Sequence, residues 1–63
     1  MPIVTISGPR IDVDQKRRLA DGVTKVACEV YGRPADQIIV IIRENPPENV
    51  AIGGKLVADR RAG

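Results

Sequence analysis

The residue best placed to do chemistry is a proline directly after the first methionine. Pro2 follows Met1, and an initiator methionine is expected to be removed when a small residue such as proline comes next. Removal would leave Pro2 with a free secondary amine. An α-amino group titrates near ~7.7 to 8.0, and burial or a nearby cation lowers that pKa. The amine would then be a base that is largely neutral at pH 7. A retained Met1 would make the nitrogen an inert amide, and Met-Pro is also simply a common beginning.

Other groups that could act as acid, base, nucleophile or metal ligand are scarce. The chain has no histidine, and Cys28 is its single cysteine. No internal disulfide can form, the usual zinc ligand sets are unavailable, and nothing nearby would activate the thiol. We therefore expect no metal site, and an unreactive, partly buried cysteine.

The cations are unusually rich in arginine. Ten Lys and Arg face eight Asp and Glu, and seven of the ten are Arg. The net charge of +2 is too small to indicate nucleic acid by itself. Guanidinium groups, however, bind carboxylates in a bidentate geometry, although a solvated surface role is the plain alternative for each of them.

These residues must be positioned by a small set of elements. Residues 2–7 and the β-branched run 38–42 read as strands. Between them we predict a helix from an N-cap at Asp12, reinforced by Gln15, to about Tyr31, ended by Gly32. Strand, helix and strand make a βαβ unit with parallel strands. Residues 50–52 and 55–57 flank a Gly-Gly pair and predict a short C-terminal β-hairpin, and residues 58–63 read as a frayed polar end.

The second strand carries a consequence for the whole molecule. Residues 38–42 are apolar at every position, which is typical of a strand buried on both faces. One helix covers one face, so another chain must cover the other. We expect a single domain over residues 1–63, in an α/β (α+β sandwich) fold that assembles with copies of itself. A five-residue apolar run cannot span a membrane, and one thiol without a signal peptide predicts a cytoplasmic protein.

Several of these features together resemble the 4-oxalocrotonate tautomerase family. They are Met-Pro-Ile opening a strand, Asp14-Gln15-Lys16 in the first helical turn, the apolar second strand followed by Glu44, and Ile-Gly-Gly-Lys-Leu at residues 52–56. The resemblance covers nearly the whole chain. It implies a βαβ protomer of a cofactor-free tautomerase, typically a hexamer built as a trimer of dimers, with active sites shared between subunits and a small carboxylic acid as substrate.

Two residues match the family's catalytic groups. Pro2 corresponds to the base that moves a proton between the dienol oxygen, or dienolate carbon, and the conjugated position. Arg10 corresponds to the arginine after the first strand, which binds the remote carboxylate and draws electron density toward it. This chain has one residue fewer than the family before the helix, so the match of Arg10 to that arginine depends on where the alignment places the deletion.

The resemblance also marks departures. Ile39 stands where the family carries a second-strand arginine for the substrate's 1-carboxylate and 2-oxo group, and Val50 stands where it often has phenylalanine. Ile52 keeps an apolar lining. Arg43 shares the strand parity of Ile39 but lies about 13 Å further along the strand, so it does not replace the missing arginine within its own chain. A replacement would have to come from a neighbouring subunit, as its Arg43, Arg60 or Arg61.

Three functions remain in view. The first is a tautomerase acting on 2-hydroxymuconate or, because Ile39 removes one carboxylate contact, on a monoacid such as an aryl pyruvate enol. The second is a structural oligomer that has lost activity. The third, a small DNA-binding dimer, is disfavoured, since the face with Ile3, Thr5 and Ser7 presents no Arg, Lys, Asn or Gln to base edges.

Overall fold

The computed structural model describes residues 1–60 and has the predicted βαβ order at its centre. Strand β1, Ile3–Gly8, leads into helix α1, Val13–Tyr31, and the chain returns through a 3₁₀ turn, Ala35–Gln37, to strand β2, Ile39–Glu44. The two strands are parallel, with Ile3 opposite Ile39 and Gly8 opposite Glu44. The parallel pairing is therefore confirmed, and β2 runs two residues further than the apolar run that predicted it.

Helix α1 begins and ends where the capping residues place it. The Asp12 carboxylate accepts a hydrogen bond from the Gln15 backbone N–H at 2.8 Å, and the Gln15 side chain accepts one from the Asp12 N–H at 3.0 Å. This reciprocal pair satisfies two N–H groups that have no partner within a helix. At the other end Gly32 adopts φ +64°, a left-handed conformation that favours glycine. Both helix ends are thus set by local sequence.

The two faces of the β1–β2 sheet differ in their cover. Val4 and Ile6 of β1 and Val40 and Ile42 of β2 are half-buried on the face toward α1. The opposite face, which we call the open face, consists of Ile3, Thr5, Ser7, Ile39, Ile41 and Arg43, all exposed. Within residues 1–60 nothing covers the apolar residues of the open face, as the uniform apolar run predicted.

Only part of the apolar surface of α1 is buried. Leu19 and Val23 are half-buried and Ala27 is buried, whereas Val26 is 59% and Val30 76% exposed. The exposed pair lies beside Val4 along a groove between the helix and β1. The helix therefore has more apolar surface than the two-stranded sheet can cover.

Residues 47–60 form the C-terminal segment of the described chain, which we call the arm. After a 3₁₀ turn, Pro47–Asn49, strands β3, Ala51–Ile52, and β4, Lys55–Leu56, pair as an antiparallel hairpin. This confirms the predicted hairpin, although each strand is one residue shorter than predicted: Val50 precedes β3, and Val57 follows β4 in a helical turn. The predicted frayed end is wrong for its first part, because Val57–Arg60 form a helical turn, α2. The Val57 N–H donates to the Val50 carbonyl at 2.8 Å, and the Arg60 guanidinium donates to the Ile52 carbonyl at 3.3 Å. The remaining predicted end, residues 61–63, lies outside the described residues.

The molecule leaves much of its surface open. Its radius of gyration is 15.2 Å, against about 11 Å for a compact domain of this length. Its accessible surface is 4942 Å², against about 4,000 Å² for a compact protein of this mass. Among the described residues only Ala27 and Ile38 are buried. Over residues 1–60, no helix is long and apolar enough to cross a membrane.

Candidate active site

Pro2 is fixed at the amino-terminal end of β1. Its carbonyl accepts a hydrogen bond from the Ile39 N–H at 3.0 Å, so the ladder between β1 and β2 begins at Pro2. The residue is half-buried, and Ile38, the residue before its hydrogen-bond donor, is 9% exposed. The ring itself fixes φ near about −65°. A nitrogen held in this way has a defined position relative to the sheet.

Arg10 lies beyond the opposite end of β1, in the short segment before α1. It is exposed and makes no ion pair with any of residues 1–60. Its neighbour Ile11 donates its backbone N–H to Glu44 Oε2 at 3.1 Å. The other carboxylate oxygen of Glu44 pairs with Lys16 Nζ at 3.1 Å. The guanidinium of Arg10 is thus available for an incoming anion, while the nearby carboxylate is already occupied.

Glu44 is perturbed by these contacts. The hydrogen bond from the Ile11 N–H, then the one from Lys16, hold the pKa of Glu44 below its ordinary value of 4.5, and the charges of Lys16 and Arg10 act in the same direction. Partial desolvation opposes them. Glu44 is therefore an anion at neutral pH, and the positive charge of Arg10 is offset in part.

The remaining predicted site residues divide between strand and arm. Ile39 lies next to Pro2 through the backbone hydrogen bond described above, and its side chain is 37% exposed on the open face. Arg43 is opposite Ser7 near the far end of the same face. Val50 is half-buried in a groove that Gly8 and Pro9 also line, and Ile52 is 55% exposed on β3.

Within one chain these residues form two separate groups. Pro2 and Ile39 lie at the amino-terminal end of the parallel strands, whereas Arg10 and Val50 lie at the carboxyl-terminal end. The intervening strand β1 has six residues, about 20 Å at ~3.3 Å per residue. A small acid cannot bridge that distance. The chain brings Pro2 together with Ile39, but not with Arg10, Arg43, Val50 or Ile52.

The described residues offer no obvious metal centre. No group of three or more His, Cys, Asp or Glu side chains comes together within residues 1–60. Cys28 is a free, half-buried thiol, which agrees with the predicted partial burial.

Sequence reasoning did not assign a role to Glu44 or Lys16. Both were noted only as part of a sequence resemblance, and they meet across 28 residues of sequence through the ion pair described above. Their separation hides the pairing from any local pattern. The sequence does offer one signal: Glu44 is a charged residue close behind the apolar run 38–42. A residue there lies at the end of the strand, next to the segment that leads into α1.

Comparison with known proteins agrees with this architecture. The family model described as "Tautomerase enzyme" matches residues 2–60. A 2-hydroxymuconate tautomerase from Bacillus subtilis is 36% identical in an alignment 61 positions long, which covers 94% of this chain and 97% of the relative.

Two solved structures share the fold. The protein DmpI from Archaeoglobus fulgidus superimposes with a TM-score of 0.83 and 45% identity, over 92% of this chain and all of the other. TomN, a 4-oxalocrotonate tautomerase homologue in the tomaymycin biosynthetic pathway, superimposes with a TM-score of 0.89 and 32% identity, over 98% of this chain and 97% of the other. The βαβ core and the arm therefore both have counterparts in known structures.

Proposed function

Because this chain belongs to the tautomerase family, whose enzymes are isomerases, we propose that it interconverts the enol and keto forms of a small unsaturated 2-hydroxy or 2-oxo acid. A relative named 2-hydroxymuconate tautomerase aligns over nearly its full length, which makes 2-hydroxymuconate the first substrate to test. No cofactor is required, since the reaction only moves a proton.

Pro2 is the general base in this proposal. After removal of Met1, its secondary amine accepts the proton of the enol hydroxyl and returns a proton to the conjugated carbon. The observation that carries the proposal is the hydrogen bond from the Ile39 N–H to the Pro2 carbonyl at 3.0 Å. That bond fixes the backbone of the residue whose nitrogen would react, and a base must be held within hydrogen-bond reach of its proton.

Arg10 is the carboxylate anchor. Its guanidinium is exposed and makes no ion pair with residues 1–60, so it can bind a substrate carboxylate in a bidentate geometry. A cation at that carboxylate also stabilises the negative charge that develops along the conjugated acid when the hydroxyl proton leaves.

A complete site then needs at least two chains. Pro2 lies at one end of β1 and Arg10 beyond the other, so Pro2 of one chain works with Arg10 of a neighbour, and Val50 and Ile52 of the neighbouring arm supply apolar lining. The exposed apolar residues of the open face, including Ile3 and Ile41, support such an assembly. A hexamer built as a trimer of dimers is the arrangement we propose.

Ile39 favours a second candidate substrate class. The backbone N–H of Ile39 donates to the Pro2 carbonyl, and its apolar side chain is 37% exposed on the open face. An apolar group there suits a substrate with one carboxylate and an apolar or aromatic remainder, such as an aryl pyruvate enol. Arg43 of a neighbouring chain would be needed to recover a second carboxylate contact.

The test is ketonisation of 2-hydroxymuconate, and of an aryl pyruvate enol, by the purified protein and by Pro2→Ala. Intact mass spectrometry of both proteins establishes whether Met1 has been removed. We expect turnover above buffer by the wild type, reduced about 100-fold or more in Pro2→Ala, because general base catalysis contributes roughly 10²- to 10⁴-fold. Asp21→Ala, which removes an exposed ion pair with Lys25, is the control and retains activity.

Equal rates for wild type and Pro2→Ala would contradict the role of Pro2. Absence of turnover on both acids by a protein that begins at Pro2 would instead favour a structural oligomer. Titration of the Pro2 amine by NMR separates the two further, since only a working base needs a pKa below that of an ordinary amine.

A further inference from the structure

The segment that carries Arg10 is short and is anchored on both sides. Before it, the Asn45 N–H donates to the Gly8 carbonyl at 2.8 Å, which fixes the end of β1. After it, the Ile11 N–H donates to Glu44 Oε2 at 3.1 Å. Both anchors come from consecutive residues at the end of β2. Only Pro9 and Arg10 lie between the anchored residues.

The second anchor is a side chain whose own position is constrained. Glu44 Oε1 pairs with Lys16 Nζ at 3.1 Å, so one carboxylate connects the end of β2, the Arg10 segment and the first turns of α1. Pro9 adds a fixed φ on the other side of Arg10. Little backbone freedom then remains at the arginine itself.

The same geometry keeps Glu44 from neutralising Arg10 directly. Its two oxygens are used by Ile11 and Lys16, and Arg10 forms no ion pair with any residue of the described range 1–60. A carboxylate in this position can orient the arginine segment without competing with a substrate carboxylate for the guanidinium.

From these contacts we propose that Glu44 is a positioning residue for Arg10: it holds the Ile11 backbone so that the Arg10 guanidinium is presented at a fixed place for the substrate carboxylate. The inference rests on the proposed role of Arg10 as carboxylate anchor. It assigns to Glu44 and Lys16 a task that the tautomerase reaction itself does not require of them. Lys16 acts one step further away, by fixing the carboxylate.

The test combines kinetics with a measurement that does not depend on activity. Glu44→Ala removes both bonds, whereas Glu44→Gln keeps an acceptor for the Ile11 N–H and loses the charge paired with Lys16. We expect kcat/KM for 2-hydroxymuconate to fall about 10-fold or more in Glu44→Ala and about 3-fold in Glu44→Gln, because small misplacements of a binding group can cost up to about 100-fold. Asp21→Ala, which deletes a different ion pair of α1, is the matched control and stays within about 2-fold.

A double-mutant cycle separates positioning from stability. In an Arg10→Ala background, Glu44→Ala should change kcat/KM by less than about 2-fold, because nothing remains to be positioned. If Glu44→Ala lowers kcat/KM equally with and without Arg10, Glu44 has a general structural role and the inference is wrong.

Backbone ¹⁵N relaxation supplies the second readout. We expect Arg10 and Ile11 to be as ordered as β1 in the wild type and in Glu44→Gln, and mobile in Glu44→Ala. Unchanged order in a folded Glu44→Ala protein overturns the inference even if no acid is turned over. Loss of order with no turnover in the wild type leaves the positioning role supported and contradicts the proposed function.

Discussion

At the scale of single residues, the candidate chemistry depends on how each functional group is held. Pro2 is fixed through its carbonyl by Ile39, so the nitrogen keeps its position without using its own hydrogen-bonding capacity. Arg10 is held through the backbone of its neighbour Ile11, and its guanidinium forms no ion pair within residues 1–60. In both cases the backbone is constrained and the reactive group is left open.

Ile39→Arg is expected to shift substrate preference toward dicarboxylates. The side chain projects from the open face, 37% exposed, and the bond to Pro2 is made by the Ile39 backbone, which the change leaves intact. A new charge-assisted contact contributes roughly 1.5 to 3 kcal/mol, so kcat/KM for 2-hydroxymuconate should rise about 10- to 150-fold relative to a monoacid. Steady-state kinetics on both acids check this; an unchanged ratio would show that residue 39 does not contact substrate.

Glu44 should make the free energy of unfolding depend on pH in the acid range. Because hydrogen bonds from Ile11 and Lys16 lower the pKa of Glu44 in the folded protein, its contribution to stability is present above the ordinary pKa of 4.5 and is lost as the pH falls through the lower, folded value. Urea unfolding from pH 7 to pH 3 should show wild type more stable than Glu44→Gln at neutral pH, with the two converging in acid. Glu29→Gln, on the exposed side of α1, serves as control, and a pH-independent difference between wild type and Glu44→Gln would contradict the assignment.

At the scale of elements, the helix is determined by local signals and the sheet by register. The capping pair of Asp12 and Gln15 and the left-handed Gly32 bound α1 as predicted. On the polar side Asp14 pairs with Arg17, three residues on, although Arg18, four residues on, is also within reach along a helix. Exposed side chains of this length choose among nearby partners at little energetic difference.

Asp12→Ala should destabilise the protein by about 1 kcal/mol, the usual effect of removing an N-cap side chain. The change removes the acceptor of the 2.8 Å bond from the Gln15 N–H and keeps the backbone N–H of residue 12 that donates to the Gln15 side chain. The denaturant midpoint measures the loss. Asp36→Ala, at an exposed position in a 3₁₀ turn, is the matched control and should change it little; equal midpoints for Asp12→Ala and wild type would show that the capping box does not support the helix.

At the scale of the whole molecule, one chain has apolar surface that it does not cover. The accessible area exceeds that of a compact protein of its mass by about 1,000 Å², similar to the ~800 Å² that each partner buries in a standard interface. The open face carries Ile3, Ile39 and Ile41, and α1 adds Val26 and Val30. Folding and assembly are therefore expected to be coupled.

Ile41→Asp places a charge in the middle of the open face and should disrupt assembly. Ile41 is 40% exposed in the single chain, so the charge is tolerated there and becomes costly only where a second chain covers it. Native mass spectrometry should show a multi-copy wild type and a variant assembly of lower mass. Glu29→Lys on the polar side of α1 is the control, and a wild type that stays folded as one copy on dilution would contradict the prediction.

The sequence by itself determined the order of the elements, the limits of α1, the parallel strand pair and the hairpin, because caps, β-branched runs and Gly-Gly turns act over a few residues. It also indicated the uncovered sheet face, since one helix cannot cover a strand that is apolar on both sides. The prediction was wrong for residues 57–60, because their helical turn depends on contacts with Val50 and Ile52 rather than on its own composition.

Only the tertiary structure decided how the candidate site is divided. The pairing of Gly8 with Glu44 brings Glu44 to Ile11 and Lys16, and the length of β1 separates Pro2 from Arg10. The contacts of Glu44 follow from strand register and direction, which join residues more than 25 positions apart in the sequence. No local pattern encodes such distances, so the anchoring of Arg10 became visible only once the two strands were paired.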